Sequence, residues 1–245
     1  MPLTALEIFA ALIVLEGIFA FGFIKAGWPE STKKGFVYKM LASAVFVAAG
    51  IYSFISIKEK SYYSLAILCG LILGFTGDIF LTLDPFIKDK KSKMNTAAII
   101  IGGVCFLFGH ICYICAFVRE MLARDAFSPV VTAVFWAGVM LVILGAKLIL
   151  NIKAGKLTIP VFIYAAVISF MAACAVCLAK SQGGAVSRAI IIAAPVLFLI
   201  SDLSLMVKFF DKERFNTLPV RALNLGTYYL SQMLLAVSIY ALFRW

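Results

Sequence analysis

Two carboxyls lie inside segments otherwise suited to lipid. Asp78 sits in the apolar run 65–81 and Asp202 in the apolar run 189–206. An ionisable side chain at that depth costs about 2.5–3.5 kcal/mol on insertion scales, so its retention points to function. One carboxylic acid beside one carboxylate is the arrangement that protonates a substrate and then stabilises a cation or activates water. Other polar groups recur along the same kind of run. Lys39 opens one apolar segment and Tyr164 lies two turns into another. Phe106, His110 and Tyr113 share one helical face, and Asn224, Tyr228 and Gln232 follow i, i+4, i+8 spacing with Tyr229 beside them.

The elements that position these groups are membrane helices. The chain has 245 residues, of which 64% are hydrophobic and 14% charged, a balance that leaves no room for a sizeable soluble domain. Apolar runs of roughly 20 residues recur throughout, long enough to cross a hydrocarbon core of about 30 Å. They lack strand alternation, and backbone groups in lipid must bond within the segment, so an all-α polytopic membrane protein is predicted. About eight spans are expected, at 5–24, 36–57, 62–83, 97–118, 128–150, 157–179, 187–207 and 220–243, forming a single transmembrane domain over 1–245. The first run lacks a basic leader and a small-residue cleavage site, and reads as a retained span rather than a signal peptide.

Charge gives an orientation. Odd-numbered connections hold 15 of the 22 Lys and Arg residues, among them Lys88, Lys90, Lys91, Lys93, Lys153 and Lys156. The positive-inside rule then places those loops in the cytoplasm and both termini outside. On this reading Asp78 and Asp202 each lie about 7–8 Å from the cytoplasmic end of a span at 1.5 Å per residue. They would face one cavity between spans 3 and 7, in the cytoplasmic leaflet. Asp78 and Asp202 are separated by four spans, and Lys39 and Tyr164 by a similar interval, which is the pattern of a worn 4+4 parallel repeat. Gly70, Gly74 and Gly77 form a small-residue stripe for close helix approach, and Pro195 should kink span 7.

Several classes of chemistry drop out. No Gly-x-Ser-x-Gly elbow is present, and one histidine cannot make a three-His zinc site, although a carboxylate-rich metal site remains open. The six cysteines all fall in apolar runs and read as small packing residues, despite two Cys-x-x-Cys spacings. No cofactor and no resident metal is expected. The formal charge of +10 is read as topology and attraction to anionic lipid rather than nucleic-acid binding. Glu16 is a further charge near the middle of span 1, for which the sequence offers no partner.

Four short blocks carry a family resemblance: Gly77-Asp78-Ile79-Phe80-Leu81, Phe108-Gly109-His110-Ile111-Cys112-Tyr113, Ile200-Ser201-Asp202 and Tyr228-Tyr229-Leu230-Ser231-Gln232. In order and spacing they resemble the signature blocks of the YhhN family, the lysoplasmalogenase-like membrane proteins. Lys39 resembles that family's span-2 lysine, although Met40 follows it where proline is usual. The resemblance implies about eight spans. It also implies hydrolysis of the vinyl-ether bond of 1-alkenyl lysophospholipids to a fatty aldehyde and a glycerophospho-alcohol. Asp78 and Asp202 would be catalytic, and Lys39, His110, Tyr113, Tyr164, Asn224, Tyr228, Tyr229 and Gln232 would bind substrate.

That reaction suits the residues on chemical grounds. A vinyl ether hydrolyses by protonation at its β-carbon, which leaves an oxocarbenium ion related to the one glycosidases stabilise with paired carboxyls. The expected partners are a lysophospholipid substrate and membrane lipids. The expected place is the cell membrane in a bacterium or the endoplasmic reticulum in a eukaryote. The competing reading is a proton-coupled transporter of a lipid or small amphiphile, since intramembrane Asp, His and Tyr also build proton relays.

Overall fold

The computed structural model describes residues 3–87, 93–152, 155 and 158–244. Lys88, Lys90, Lys91, Lys153 and Lys156, on which the orientation partly rests, lie outside them. The described chain is helical throughout. Its elements are α1 (Leu3–Ala26), α2 (Lys33–Ser56), α3 (Tyr62–Leu81), a 3₁₀ turn (Asp84–Phe86), α4 (Lys93–Ala123), α5 (Pro129–Ile149), α6 (Thr158–Ala179), α7 (Ala185–Phe210), the short α8 (Lys212–Phe215) and α9 (Leu218–Arg244). Eight of these segments are long and apolar enough to span a membrane. Large apolar side chains such as Leu148, Ile149 and Ile159 are exposed on the outer faces, as a lipid-facing surface requires.

Local chemistry sets the ends. Thr32 caps α2 by accepting from the Gly35 amide at 2.9 Å. Ser61 and Ser64 form a reciprocal capping box at the start of α3. α3 stops at Leu81, two residues before the predicted span end, and Pro85 then fixes the 3₁₀ turn. α4 is longer than its predicted span 97–118. Hydropathy falls where lipid ends, but the helix continues into the polar zone, where Arg124 Nε meets Glu120 at 2.6 Å one turn away. α7 likewise runs on to Phe210.

The packing repeats between halves. α1 on α2, α2 on α3 and α3 on α4 have their counterparts in α5 on α6, α6 on α7 and α7 on α9. The cross-contacts also exchange, α2 meeting α9 as α6 meets α4. This is the neighbour pattern that a 4+4 parallel repeat predicts. Two contacts have no substantial equivalent, the smaller being α3 on α9. α1 packs on α9 and closes the first half, whereas α5 leans mainly on α6. The opening leaves an apolar groove of about 270 Å³ between α5, α6 and α7, walled by Leu144, Lys147, Val161, Ala165, Leu203 and Ser204 among others.

The tightest seam joins α3 to α4. A Cβ at Gly77 would meet the Gly102 carbonyl at 3.1 Å, and one at Gly102 would meet the Gly77 carbonyl at the same distance. Only residues without a Cβ let the two backbones approach this closely.

Candidate active site

Asp78 lies on the buried face of α3, 1% exposed. Three donors from two other helices converge on it. Lys39 Nζ of α2 is 2.9 Å from Oδ1. The Ser43 hydroxyl, one turn along α2, donates to Oδ2 at 2.6 Å, and the Tyr228 hydroxyl of α9 donates to the same oxygen at 2.7 Å. The carboxylate charge is therefore compensated and its lone pairs are largely engaged. Lys39 is only 8% exposed, so it turns inward to Asp78 instead of snorkelling to the interface. The network continues: Gln232 Nε2 donates to the Tyr228 oxygen at 3.3 Å, and Tyr113 donates to Gln232 Oε1 at 2.8 Å.

Asp202, on α7, has a different set. The Tyr164 hydroxyl of α6 donates to Oδ2 at 2.5 Å. His110 Nε2 of α4 lies 3.0 Å from the Tyr164 oxygen and 3.5 Å from Asp202 Oδ2. His110 Nδ1 is buried without a partner. Among the described residues the cation within ion-pair reach is an imidazole, whose charge is optional. Asp202, Tyr164 and His110 thus form a proton-holding set, while Asp78 forms an ion pair.

The two sets abut at Phe198. Its ring centroid is 4.6 Å from that of His110 and 5.6 Å from that of Tyr228, both edge-on. Phe106 packs on Tyr228 from the other side at 5.9 Å. Each carboxyl is held in its own hydrogen-bonded set, and Phe198 contacts both sets. The glycine stripe explains how the neighbouring side chains fit. Cβ atoms at Gly74 and Gly77 would strike Gln232 Nε2 at 2.6 Å and the Phe106 ring at 2.7 Å, and one at Gly70 would overlap the Tyr113 ring.

Most of the residues singled out by type and spacing come together. Lys39, Tyr228, Gln232 and Tyr113 join Asp78, and Tyr164 and His110 join Asp202. Asn224 does not reach either carboxyl. Its amide donates to the Ser201 carbonyl at 2.8 Å and the Ser201 hydroxyl at 3.0 Å, bracing α9 against α7. The Tyr229 hydroxyl is buried near Ser43, outside hydrogen-bonding geometry. Glu16 is buried, its Oε1 unpartnered, within electrostatic range of Tyr229. Sequence reasoning missed Ser43 and Phe198. Ser43 stands at i+4 from Lys39, a spacing that marks it as the next residue on that face; Phe198 is one apolar residue among many and carried no signal. Asp78 and Asp202 each lie eight residues before the end of their apolar segment, at Phe86 and Phe210.

Comparison with known proteins agrees with the four blocks. The model of the YhhN family matches residues 31–239. The chain belongs to the YhhN family. The match covers α2 to most of α9 and so includes every residue of both carboxyl sets. No curated protein and no solved structure matches the chain. Among the described residues no cluster of His, Cys, Asp and Glu has metal-binding geometry, and all six cysteines are free thiols. This YhhN-family chain therefore offers acid–base groups, an ion pair and hydroxyl donors as its chemistry.

Proposed function

We propose that this protein is a lysoplasmalogenase-like hydrolase that cleaves the vinyl-ether bond of 1-alkenyl lysophospholipids. The observation that carries the reading is the unequal pair: a carboxyl in a proton-holding set (Asp202, Tyr164, His110) beside a charge-compensated carboxylate (Asp78, Lys39, Ser43, Tyr228). The proton held by the first set adds to the vinyl β-carbon, and the electron pair of the C=C bond becomes the new C–H bond. The resulting oxocarbenium ion is stabilised by the negative end of the second set. Water adds at the cationic carbon and loses a proton to Asp202. The hemiacetal then collapses, its C–O bond to glycerol breaking as that oxygen takes a proton. The products are fatty aldehyde and glycerophospho-alcohol, for the net addition of one water. The groove beside Ala165, Leu203 and Ser204, which adjoin Tyr164 and Asp202 in sequence, is a suitable place for the hydrocarbon chain. The positive-inside reading supports a site in the cytoplasmic leaflet.

The test is purified protein in detergent with matched alkenyl, alkyl and acyl lysolipids, the aldehyde being trapped as it forms. Aldehyde from the alkenyl lipid alone is expected. Release of fatty acid from the acyl lipid would make the protein an acyl hydrolase. The linked hydroxyls from Lys39 through Tyr228 and Gln232 to Tyr113 also support a proton-coupled transporter. That reading predicts no product in detergent and proton-driven lipid uptake in vesicles.

A further inference from the structure

Two cations near Lys39, Arg221 and Lys208, have no role in the reaction just described. Arg221, three residues into α9, stacks its guanidinium 4.6 Å from the centre of Phe23 on α1 and spends one donor on the Phe23 carbonyl at 3.3 Å. Its Nε is buried and unpartnered. Lys39 Nζ lies 5.5 Å from the same ring centre, so the two charges are within about 10 Å of each other. Lys208 of α7 is within electrostatic range of both. Among the described residues no carboxylate forms an ion pair with Lys208 or Arg221, and the Tyr229 hydroxyl is a second orphaned donor within range of Arg221. Opposing charges include Asp78, held by Lys39, and Glu16 near Tyr229. Converging cations that repel one another are costly unless an anion joins them.

We propose that Arg221, Lys208 and Lys39 form the seat for a phosphate group carried by a single-chain amphiphile. Arg presents a fork of donors that matches phosphate oxygens, and Lys adds point charge. The occupant is an amphiphile because Lys208 stands one helical turn from Ser204, a wall residue of the apolar groove, so seat and groove share one edge of α7. In naming the head-group site of the hydrolase this inference rests on the reading above.

Binding tests it independently of turnover. The probes are a non-hydrolysable alkyl lysophospholipid, the corresponding alkylglycerol without phosphate, and inorganic phosphate, each titrated against the detergent-purified protein. The parent is expected to prefer the phospho-amphiphile over the alkylglycerol by at least about tenfold. Arg221→Gln and Lys208→Gln should each lower that preference about tenfold, and Arg221→Lys should retain more of it than Arg221→Gln. Gly27→Ala, whose new Cβ would overlap the guanidinium of Arg221, should act in the same direction without removing a charge. A parent without preference, or Lys208→Gln and Gly27→Ala proteins that keep it in full, would overturn the seat. Inorganic phosphate binding as tightly as the lysolipid would assign the site to a free anion and overturn the lipid. A protein that prefers the phospho-amphiphile yet makes no aldehyde would leave the seat standing and end the hydrolase reading.

Discussion

The two carboxyl sets occupy equivalent places in two similarly packed halves, yet their partners differ in kind. In each half an Asp on the third helix takes a side chain from the second helix: Lys39 for Asp78, Tyr164 for Asp202. Lys39 makes the first an ion pair, whereas Tyr164 gives the second a neutral hydroxyl donor. The surroundings diverge in the same sense. α1 seals the Asp78 half against α9, whereas α5 leaves a groove beside the Asp202 half. One scaffold thus yields an ion-paired carboxylate in a sealed half and a hydroxyl-bonded carboxyl in a half that carries a groove.

The largest effect should fall on Asp202. Asp202→Asn is expected to cut aldehyde formation by about 10²–10⁴-fold while the unfolding midpoint in detergent moves little, because a neutral amide can still accept from Tyr164. Near-normal turnover would make Asp202 a structural residue. Asp78 should couple both properties. Asp78→Ala strands a buried ammonium and should cost about 3–5 kcal/mol of stability along with activity. The double change Lys39→Met with Asp78→Leu should recover most of the stability and none of the activity; recovery of neither would show that the pair does not act as a unit. Tyr164→Phe and His110→Ala should lower turnover by about 10–100-fold and shift its pH profile, since both remove a member of the proton-holding set. An unchanged profile would confine His110 to packing on Phe198. Leu144→Trp, filling the groove, should raise KM for long-chain substrate more than for short-chain. Equal effects would separate the groove from the chain.

The smallest effect is expected outside the membrane. Hydrogen bonds from Arg214 hold the exposed Asp211 carboxyl below its ordinary value. A depressed carboxyl adds stability above its unfolded value and loses it as pH falls through the folded one. At full exposure solvent screens the pair, so Asp211→Asn should melt with the parent within error, any deficit shrinking toward acid.

Much of this was legible because lipid makes polarity expensive. Eight apolar runs announced eight helices, and Asp78, Asp202, Lys39 and His110 stood out as charges and polar groups that lipid would otherwise exclude. Helical spacing then brought Tyr228 and Gln232 to one face. The partner of each group was not legible. Nothing in the spacing of Asn224 distinguished bracing Ser201 from meeting a carboxyl, and the contact of Phe198 with both sets arises from side-chain packing of several helices. Helix ends also escaped hydropathy, since α4 and α7 continue into water where only hydrogen bonding and i, i+4 pairs decide.

The central claim is that a proton held by Asp202 and its partners adds to carbon. Hydrolysis in heavy water, with the aldehyde trapped at once as an oxime, tests this by mass spectrometry. One deuterium on the carbon next to the former carbonyl is the predicted result, with the label rate falling in Asp202→Asn in step with turnover. Clear turnover that yields trapped aldehyde without that deuterium would contradict the account.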